Sequence, residues 1–469
     1  MTDPPRKISL EAWDGRYEQL HAGGMVEPWY GGPLRRHLQD GDERLPRLRY
    51  DDSAAALRLW NFLLTEEDRL HQARAAGKKI DGVMKDLGTV PVMAYSLPNV
   101  AAFYPDGAWW IPCILEGTPS RRTSRLRTPA LAVADSLGVD ESFCPVRAML
   151  GAFLTEGYFP IPDLLTCSVG ATCDDFSAIA QRLSGLGYSI LWWEIPHRRR
   201  PDPGEAAVRL PGGFDAPAGQ VAFVQSQLEP VRQALEKLSG QSLDEGQLAN
   251  GIRQANRARR LLEELRKLCF TAEPCPLPAL ELLIAEMLAI HFCSDRQEAI
   301  AIFEQLLQEV RRRVRAGVGP VGGGAARIFW VNPVADLRAM NLLEECGGRV
   351  CGTEYLFCHA LDAIPEDCPP MEALARTALA DPMVGPSADR ADRICRDIAA
   401  FGAEGVVISR IPGASHCAME GIILAEIIRS RTGRPVVEME VPSVCDPMAA
   451  SLRTRLEALV ETAKGHRGT

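Results

Sequence analysis

Short apolar runs alternate with segments of helical apolar spacing in two separate parts of the chain. A strand that is followed by a helix and then by another strand is typical of a parallel α/β sheet. The first strand is predicted from short apolar runs within residues 80–100, one of which is the run at 90–94. The other predicted strands lie at residues 164–169, 189–196, 327–333, 350–355, 405–408 and 434–441. The sequence therefore predicts an α/β fold with two parallel-sheet domains.

A helical insert is predicted between the two parts. Residues 221–315 have helical apolar spacing almost throughout, and a Gly-rich run follows at 317–324. This run precedes a predicted strand and lacks the Gly-Lys-Ser/Thr ending of a phosphate loop, so we interpret it as a linker. The helices of the insert are predicted at residues 227–238, 247–268, 280–290 and 295–314.

The N-terminal residues differ from the rest of the chain. Residues 1–50 are rich in Gly, Pro and charge, which predicts an irregular arm whose aromatic residues Trp13, Trp29 and Tyr30 could dock on a neighbouring subunit. Residues 52–76 predict a helix that Gly77 ends. The predicted domains are an N-terminal arm and helix (1–88), a first α/β domain (89–225), a helical insert and linker (226–318) and a second α/β domain (319–469).

Three cysteines each stand at the predicted start of a helix. Pro145 suits the first position of a helix, so Cys144 is a predicted N-cap residue, while Cys173 and Cys417 each follow a predicted strand. Helix N-termini stabilise negative charge, so we expect lowered thiol pKa values at these positions. Thiolates brought together at the cleft between two such domains could hold a soft metal site.

Spacing alone leaves other interpretations open. No two cysteines have the Cys-x2-Cys spacing of a zinc ribbon or a bacterial ferredoxin, and an α/β protein with ordinary core cysteines would have much the same pattern. Cys167 is an alternative to Cys173, and His416 could be a ligand or proton donor beside Cys417. Other cysteines in the helical insert are predicted to be structural, namely Cys269, Cys275 and Cys293.

Composition narrows the class of protein. The chain has 469 residues, 46% of them hydrophobic, and a formal net charge of -9, which argues against a nucleic-acid partner. No apolar stretch of membrane-spanning length and no signal peptide are evident, so no membrane partner and a cytoplasmic location are expected. The 14 cysteines are therefore interpreted as reduced thiols, some of which bind metal.

Four landmarks occur in a fixed order along the chain. They are Cys144-Pro-Val-Arg-Ala-Met-Leu-Gly, Pro160-Ile-Pro-Asp with Cys173-Asp, Gly405-Val-Val followed by Cys417 and Glu420, and Thr454-Arg-Leu-Glu-Ala. In this order they resemble the 2-hydroxyacyl-CoA dehydratase family, of the 2-hydroxyglutaryl-CoA dehydratase D-component type. This family also contains benzoyl-CoA reductase subunits and double-cubane cluster proteins. The resemblance covers roughly residues 90–465.

The resemblance implies a fold, a cofactor and its ligands. The fold would be two Rossmann-like, flavodoxin-like domains, and the cofactor an iron-sulfur cluster held by Cys144, Cys173 and Cys417. The first domain would carry two of these cysteines and the second domain the third. The cluster would be a 4Fe-4S cluster in each subunit or an 8Fe-9S double-cubane cluster shared by two identical chains.

The resemblance also implies partners and an activity. An ATP-dependent iron-sulfur activator would deliver low-potential electrons, and a sister subunit or a second copy of the chain would complete an enzyme that dehydrates or reduces an acyl-CoA. The alternatives are a homodimeric double-cubane reductase of small substrates, a non-catalytic subunit that relays electrons, and a metal-free binding protein.

Two further groups of residues could contact an acyl-CoA. Carboxylates that could orient or protonate a thioester are Glu156, Glu194 and Glu420. Arginines that could bind the CoA phosphates lie at 121–127 and at 198–200.

Overall fold

The structure is a computed structural model. It describes residues 4–22, 32–37, 45–85, 88–107, 130–156, 158–289, 294–357, 361–442 and 449–465. The strands in chain order are β1 (Lys7–Ile8), β2 (Tyr50–Asp51), β3 (Lys79–Met84), β4 (Val100–Phe103), β5 (Leu164–Gly170), β6 (Leu191–Ile195), β7 (Ala207–Arg209), β8 (Asp215–Pro217), β9 (Ala326–Val331), β10 (Gly348–Glu354), β11 (Gly405–Arg410) and β12 (Val436–Glu440).

Helices make up most of the remaining described structure. The α-helices are Leu10–Ala22, Ala54–Leu64, Glu66–Ala75, Val90–Tyr95, Ala130–Ser136, Ala148–Thr155, Asp174–Gly185, Ala218–Ser239, Glu245–Thr271, Ala279–Leu288, Arg296–Ala316, Arg338–Glu345, Pro370–Leu379, Ser387–Phe401, His416–Thr432 and Ala449–Gly465. Among the described residues no helix has the length and the apolar composition needed to span a membrane.

Two four-stranded parallel sheets form the centre of the fold. Their strand orders are β4-β3-β5-β6 and β10-β9-β11-β12, so each sheet starts with an inner strand, adds a strand on one side and then two on the other. This is the flavodoxin-like order, with a topological switch point between the first and third strands. The predicted fold of two Rossmann-like domains is confirmed.

The inner strands explain the apolar runs in the sequence. In β9 the side chains of Ile328, Phe329, Trp330 and Val331 are fully buried. A parallel strand with helices on both faces has no solvent-facing side, so consecutive residues are apolar instead of alternating with polar ones.

The prediction of a strand at residues 90–94 is wrong. These residues belong to the helix Val90–Tyr95, and Pro91 lies in its first turn, where a missing N–H costs no hydrogen bond. Val90, Val92 and Met93 are all fully buried, so a short apolar run here had no helical period that could distinguish it from a strand.

Other elements also differ from their predictions. The predicted irregular arm contains the helix Leu10–Ala22, with Trp13 fully buried, whereas Trp29 and Tyr30 lie outside the described residues. The predicted helix at 52–76 is two helices that meet at Thr65. The domain boundaries stay a prediction, although β3 pairs within the first sheet and precedes the boundary at 88/89.

Buried ion pairs hold the N-terminal residues on the rest of the fold. Lys7 Nζ lies 2.8 Å from Glu344, and the Arg313 guanidinium donates to both carboxylate oxygens of Asp51 at 2.5 and 3.0 Å. Asp51 N–H and the Trp60 indole donate to one oxygen of Glu281 at 3.0 and 3.1 Å. Burial, followed by the negative charge of Asp51, raises the pKa of Glu281 from its ordinary 4.5 to about 8.

This raised pKa predicts a dependence of stability on pH. Between about pH 4.5 and 8 the folded protein keeps a proton on Glu281 that the unfolded chain has lost. The stabilisation is complete below about pH 4.5 and falls by about 1.4 kcal/mol per pH unit between the two pKa values. It is lost once the pH has risen through about 8.

We therefore expect Glu281→Gln to make the free energy of unfolding less dependent on pH in this range, as measured by urea unfolding. The control is Glu345→Gln, whose carboxylate is half-exposed and should leave the slope of wild type. Equal slopes for Glu281→Gln and wild type would contradict the assignment.

Candidate functional site

The candidate site is a cavity between the carboxyl ends of the two parallel sheets. Lys85 directly follows β3 and Cys173 follows β5, and both line the cavity. From the second sheet, Pro333 follows β9 and Ala414 follows β11. Ligands in open α/β sheets bind outside the carboxyl ends of the strands at the switch point. The cavity therefore has the expected position of a binding site in both sheets at once.

The cavity is small and its wall is largely apolar. Its volume is about 150 Å³, whereas most small-molecule sites have about 300–1,000 Å³. Leu283 and Met287 from the helix Ala279–Leu288 and Phe357 after β10 form part of the wall. Side chains that bring polar atoms or thiols to it include Lys85, Tyr104, Asp106, Cys144, Cys173 and Asp175. A compact group fits this volume better than a long ligand does.

Two of the three cysteines singled out in the sequence line this cavity. Cys144 precedes the 3-10 turn Pro145–Arg147, and Cys173 precedes the helix Asp174–Gly185. Both occupy N-cap positions, as predicted. The structure thus brings together two cysteines from different loops of the first sheet.

The third cysteine lies in the first turn of the helix His416–Thr432, as predicted. The side chains of residues 416–418, which include those of His416 and Cys417, lie outside the described part of the structure. Ala414 lines the cavity three residues earlier, which places this helix start at the same cavity. The described side chains alone contain no set of three Cys, His, Asp or Glu residues that could hold a metal ion.

Asp175 joins the segments of Cys173 and Cys417. Its Oδ2 atom accepts hydrogen bonds from the Ser415 N–H at 3.0 Å and the Ser415 hydroxyl at 3.1 Å. The Cys173 Sγ atom lies 3.7 Å from the same oxygen. One buried carboxylate therefore contacts both cysteine-bearing segments, one from each sheet.

Gly413 brings the segment of Cys144 to the same place. This glycine has a φ of +77°, and a Cβ atom there would lie 2.5 Å from the carbonyl carbon of Phe143. Only a residue without a side chain allows so close an approach of two backbones. The residue before Cys144 thus packs directly on the loop that leads to Cys417.

The thiol pKa values differ from the expectation. Burial, followed by the negative charge of Asp175, raises the pKa of Cys173 to about 12. The backbone N–H of Phe176 and the positive charge of Lys85 act in the opposite direction, as expected at a helix start, but burial outweighs them. A bound metal cation is what would deprotonate such a thiol.

The segments that form this cavity match one sequence family. The family model for the 2-hydroxyglutaryl-CoA dehydratase, D-component, matches residues 120–463. The chain belongs to this family. The resemblance found in the sequence is confirmed, and the match spans Cys144, Cys173 and Cys417. No curated protein sequence matches the chain. Membership in the D-component family makes the protein a dehydratase-type enzyme subunit.

A buried arginine of this D-component protein connects the Cys417 helix to the strand ends of the second sheet. Arg390 is 1% exposed, and it donates to Glu354 at the end of β10, to Asn332 after β9 at 2.6 Å and to Glu420 at 2.7 Å. Glu420 lies three residues after Cys417, and Ser387 also donates to it, at 2.7 Å. Glu420 was a candidate for contact with a thioester, but both of its oxygens instead anchor the Cys417 helix.

The remaining carboxylate and cysteine candidates lie away from the cavity wall. Cys167 is fully buried in β5, and its thiol donates to the Ser168 carbonyl at 3.4 Å. Glu156 is exposed and ends the helix Ala148–Thr155, and Glu194 is exposed on β6. These positions favour Cys173 over Cys167 as the cysteine that meets a ligand.

The described arginine candidates for CoA phosphates, at 198–200, have protein partners. Arg198 is 1% exposed and donates to Asp389 and to the Leu379 carbonyl, while Arg200 also binds Asp389, at 2.7 Å. The arginines at 121–127 and the predicted structural cysteine Cys293 lie outside the described residues.

Sequence reasoning missed three residues of the site. Lys85, Asp175 and Arg390 are buried charged side chains that contact either the cavity or the cysteine helices. Lys85 and Asp175 could have been found by their positions directly after strand β3 and in the first turn of the Cys173 helix. Arg390 had no such signal, because its partners lie on three different elements.

Proposed function

We propose that the chain is the iron-sulfur subunit of an enzyme of the 2-hydroxyacyl-CoA dehydratase or benzoyl-CoA reductase type. Cys144, Cys173 and Cys417 hold a 4Fe-4S cluster at the cavity, and an ATP-dependent iron-sulfur activator supplies low-potential electrons for dehydration or reduction of an acyl-CoA. The observation that carries this proposal is the meeting of the three cysteine segments at one cavity, through Asp175 and Gly413.

The residues at the cavity suit such a group. Thiolates are the usual ligands of iron-sulfur clusters, and Cys144 and Cys173 both line the wall. A volume of about 150 Å³ matches a compact group, since a cavity of this size holds a molecule such as benzene. A cluster bound there supplies one-electron chemistry at low potential and an iron without a cysteine ligand, which acts as a Lewis acid.

Apolar side chains of the chain form part of the cavity wall. Leu283, Met287 and Phe357 are buried and line the cavity together with Cys144 and Cys173. A water-poor environment strengthens each electrostatic interaction inside it. Asp175 and Gly413 hold the three cysteine segments next to one another.

A homodimer with a shared 8Fe-9S double-cubane cluster is the second candidate. It is favoured by an exposed apolar face on the Cys417 helix, where Met419 is 73%, Ile422 58% and Ile423 50% exposed. Exposed apolar patches mark protein interfaces. A second copy of the chain that covers this face would lie next to Cys417.

The test is the iron and acid-labile sulfide content per chain after anaerobic purification, with the oligomeric mass of the same sample. About four irons per chain with equal sulfide support separate 4Fe-4S clusters. Sulfide in excess of iron in a homodimer supports the second candidate. Protein without iron contradicts both.

Serine substitutions test the ligands one by one. We expect Cys144→Ser, Cys173→Ser and Cys417→Ser each to reduce the iron content to a small fraction of wild type, because an alcohol is a poor ligand for iron-sulfur clusters. The fold should persist in the thermal unfolding transition. Cys395→Ser, a partly buried cysteine on the helix Ser387–Phe401, is the matched control and should keep its iron. Unchanged iron in Cys417→Ser would remove that residue from the ligand set.

A further inference from the structure

The two sheets have a residue in the left-handed backbone conformation at the same topological position. Because the strand orders match, the residue after β3 corresponds to the residue after β9. These residues are Lys85, with a φ of +64°, and Asn332, with a φ of +72°. Ser168 in β5 donates to the Lys85 carbonyl at 2.7 Å, and the Ser409 hydroxyl in β11 lies within hydrogen-bond distance of the carbonyls of Val331, Asn332 and Pro333, at 3.1, 3.2 and 2.9 Å. A buried serine thus holds a left-handed residue at each switch point.

The two positions differ in the residue that they carry. Asn adopts the left-handed region more readily than most residues, because its short polar side chain can hydrogen-bond locally. The Asn332 amide donates to the Ser409 carbonyl of the neighbouring strand at 3.0 Å. Lysine has no such preference, and the left-handed conformation costs it about 1–2 kcal/mol. Backbone strain of this kind is found at functional sites, where the side chain serves a purpose that offsets the cost.

The Lys85 ammonium lies at the cysteine side of the cavity. Lys85 is 6% exposed and lines the cavity together with Cys173. Its Nζ atom donates to the Ser177 hydroxyl at 2.7 Å, and Ser177 lies in the first turns of the Cys173 helix. Within the described part of the chain this is the one hydrogen bond of the Lys85 ammonium, which has three N–H donors.

Burial and charge act in opposite directions on the Lys85 ammonium. Burial has the largest effect and lowers the pKa of Lys85, and the negative charges that oppose it are, in order of decreasing effect, those of Cys173, Cys167, Asp174 and Asp381. In turn, Lys85 lowers the pKa of Cys173 against the effect of burial. The ammonium and the Cys173 sulfur therefore interact as opposite charges whenever that sulfur is a thiolate.

We propose that Lys85 is the fixed counter-charge of the Cys173 thiolate and of the iron-sulfur cluster that this thiolate would hold, and that it raises the reduction potential of that cluster. The inference rests on the proposed function. Reduction adds an electron to a group that is already negatively charged, and a buried cation at a fixed distance stabilises the reduced form more than the oxidised form. Lys85 is a positioning residue in this scheme, because it acts through the cluster and not on substrate.

Two variants separate the charge of Lys85 from its backbone conformation. Lys85→Met keeps the length of the side chain and removes the charge. Lys85→Asn also removes the charge but introduces the residue that the second sheet uses at the equivalent position. The control is Lys79→Met, which removes an exposed lysine from the start of the same strand.

The measurements are the iron content, the midpoint potential of the cluster by redox titration under EPR, and the thermal unfolding temperature of each anaerobically purified chain. We expect both Lys85 variants to favour the oxidised cluster at least tenfold more than wild type does, which is a shift of 59 mV to more negative potential for one electron. Lys79→Met should keep the potential of wild type. Lys85→Asn should unfold at a higher temperature than Lys85→Met, because its backbone strain is smaller.

The outcomes distinguish this inference from the function on which it rests. Wild-type protein without iron contradicts the proposed function itself. Full iron content with an unchanged potential in both Lys85 variants overturns the role of Lys85 and leaves the proposed function intact. A third outcome is loss of iron from both Lys85 variants, while both still unfold cooperatively and Lys79→Met keeps its iron. This outcome supports the role of Lys85 as counter-charge, because it shows that the Cys173 thiolate does not hold the cluster without the Lys85 ammonium.

Discussion

Arg390→Met is expected to lower the free energy of unfolding by about 3–5 kcal/mol, because it leaves the buried carboxylate of Glu354 and the partly buried carboxylate of Glu420 without this partner. The guanidinium is fully buried and donates to Glu354, Glu420 and Asn332 at once. Methionine fills part of the volume but donates no hydrogen bond. The buried position of these charges is what makes the expected effect large.

The same variant is expected to lose most of its iron. Arg390 and Ser387 together bind both oxygens of Glu420, which is on the Cys417 helix. Without Arg390, Glu420 keeps only Ser387 of these two partners, and the helix loses its connection through Arg390 to the ends of β9 and β10. The measurements are urea unfolding of the chain and its iron content after anaerobic purification.

A surface arginine is the control for this experiment. Arg431 pairs with Asp392 where both side chains are about half-exposed, so Arg431→Met should change the free energy of unfolding by less than about 1 kcal/mol. Arg390→Met combined with Glu354→Gln and Glu420→Gln should recover part of the loss, since neutral amides cost less than unpaired charges. Stability equal to wild type in Arg390→Met alone would show that the carboxylates do not need the guanidinium.

Asp175→Ala is expected to lose at least half of the iron while the chain stays folded. The carboxylate is 4% exposed, and it accepts both hydrogen bonds that connect the Cys173 helix to Ser415 in front of the Cys417 helix. Its removal leaves the Ser415 N–H and hydroxyl without this acceptor. The loop that leads to Cys417 can then move away from Cys173.

The neighbouring residue provides the matched control for Asp175. Asp174 is exposed in the first turn of the same helix, so Asp174→Ala removes an equal charge near Cys173 without breaking the connection to Ser415. The two variants should therefore differ in iron content and in the EPR signal of the reduced protein. Equal iron in Asp174→Ala and Asp175→Ala would refute the role of Asp175 in joining the segments.

The sequence predicted the parts of the fold that depend on local pattern. Strands such as β9 are continuous apolar runs, and the helices of residues 218–316 have a clear helical period, so both were predicted correctly. Residues 90–94 were predicted wrongly because an apolar run that is buried on all sides has the same pattern in a helix as in a strand. The helix Pro370–Leu379 was not predicted.

For the candidate site, too, the sequence predicted local features and not the contacts between distant segments. Cys144, Cys173 and Cys417 could be singled out because a helix start is a local property that a following proline or an apolar period reveals. The connections between them could not, because Ser415 and Asp175 are 240 residues apart in the chain and Lys85 and Ser177 are 92 apart. Nothing in the neighbourhood of either residue specifies such a partner.

The sequence by itself determined the alternation of strands and helices, the three cysteines at helix starts and membership in the D-component family, since each depends on residues close together or on an ordered set of landmarks. Only the tertiary structure decided that two switch points share one cavity, that Asp175 and Gly413 bring the cysteine segments together and that Lys85 accompanies Cys173. These facts depend on how the two sheets pack, and packing is set by the summed burial of side chains from the whole chain and not by any local pattern.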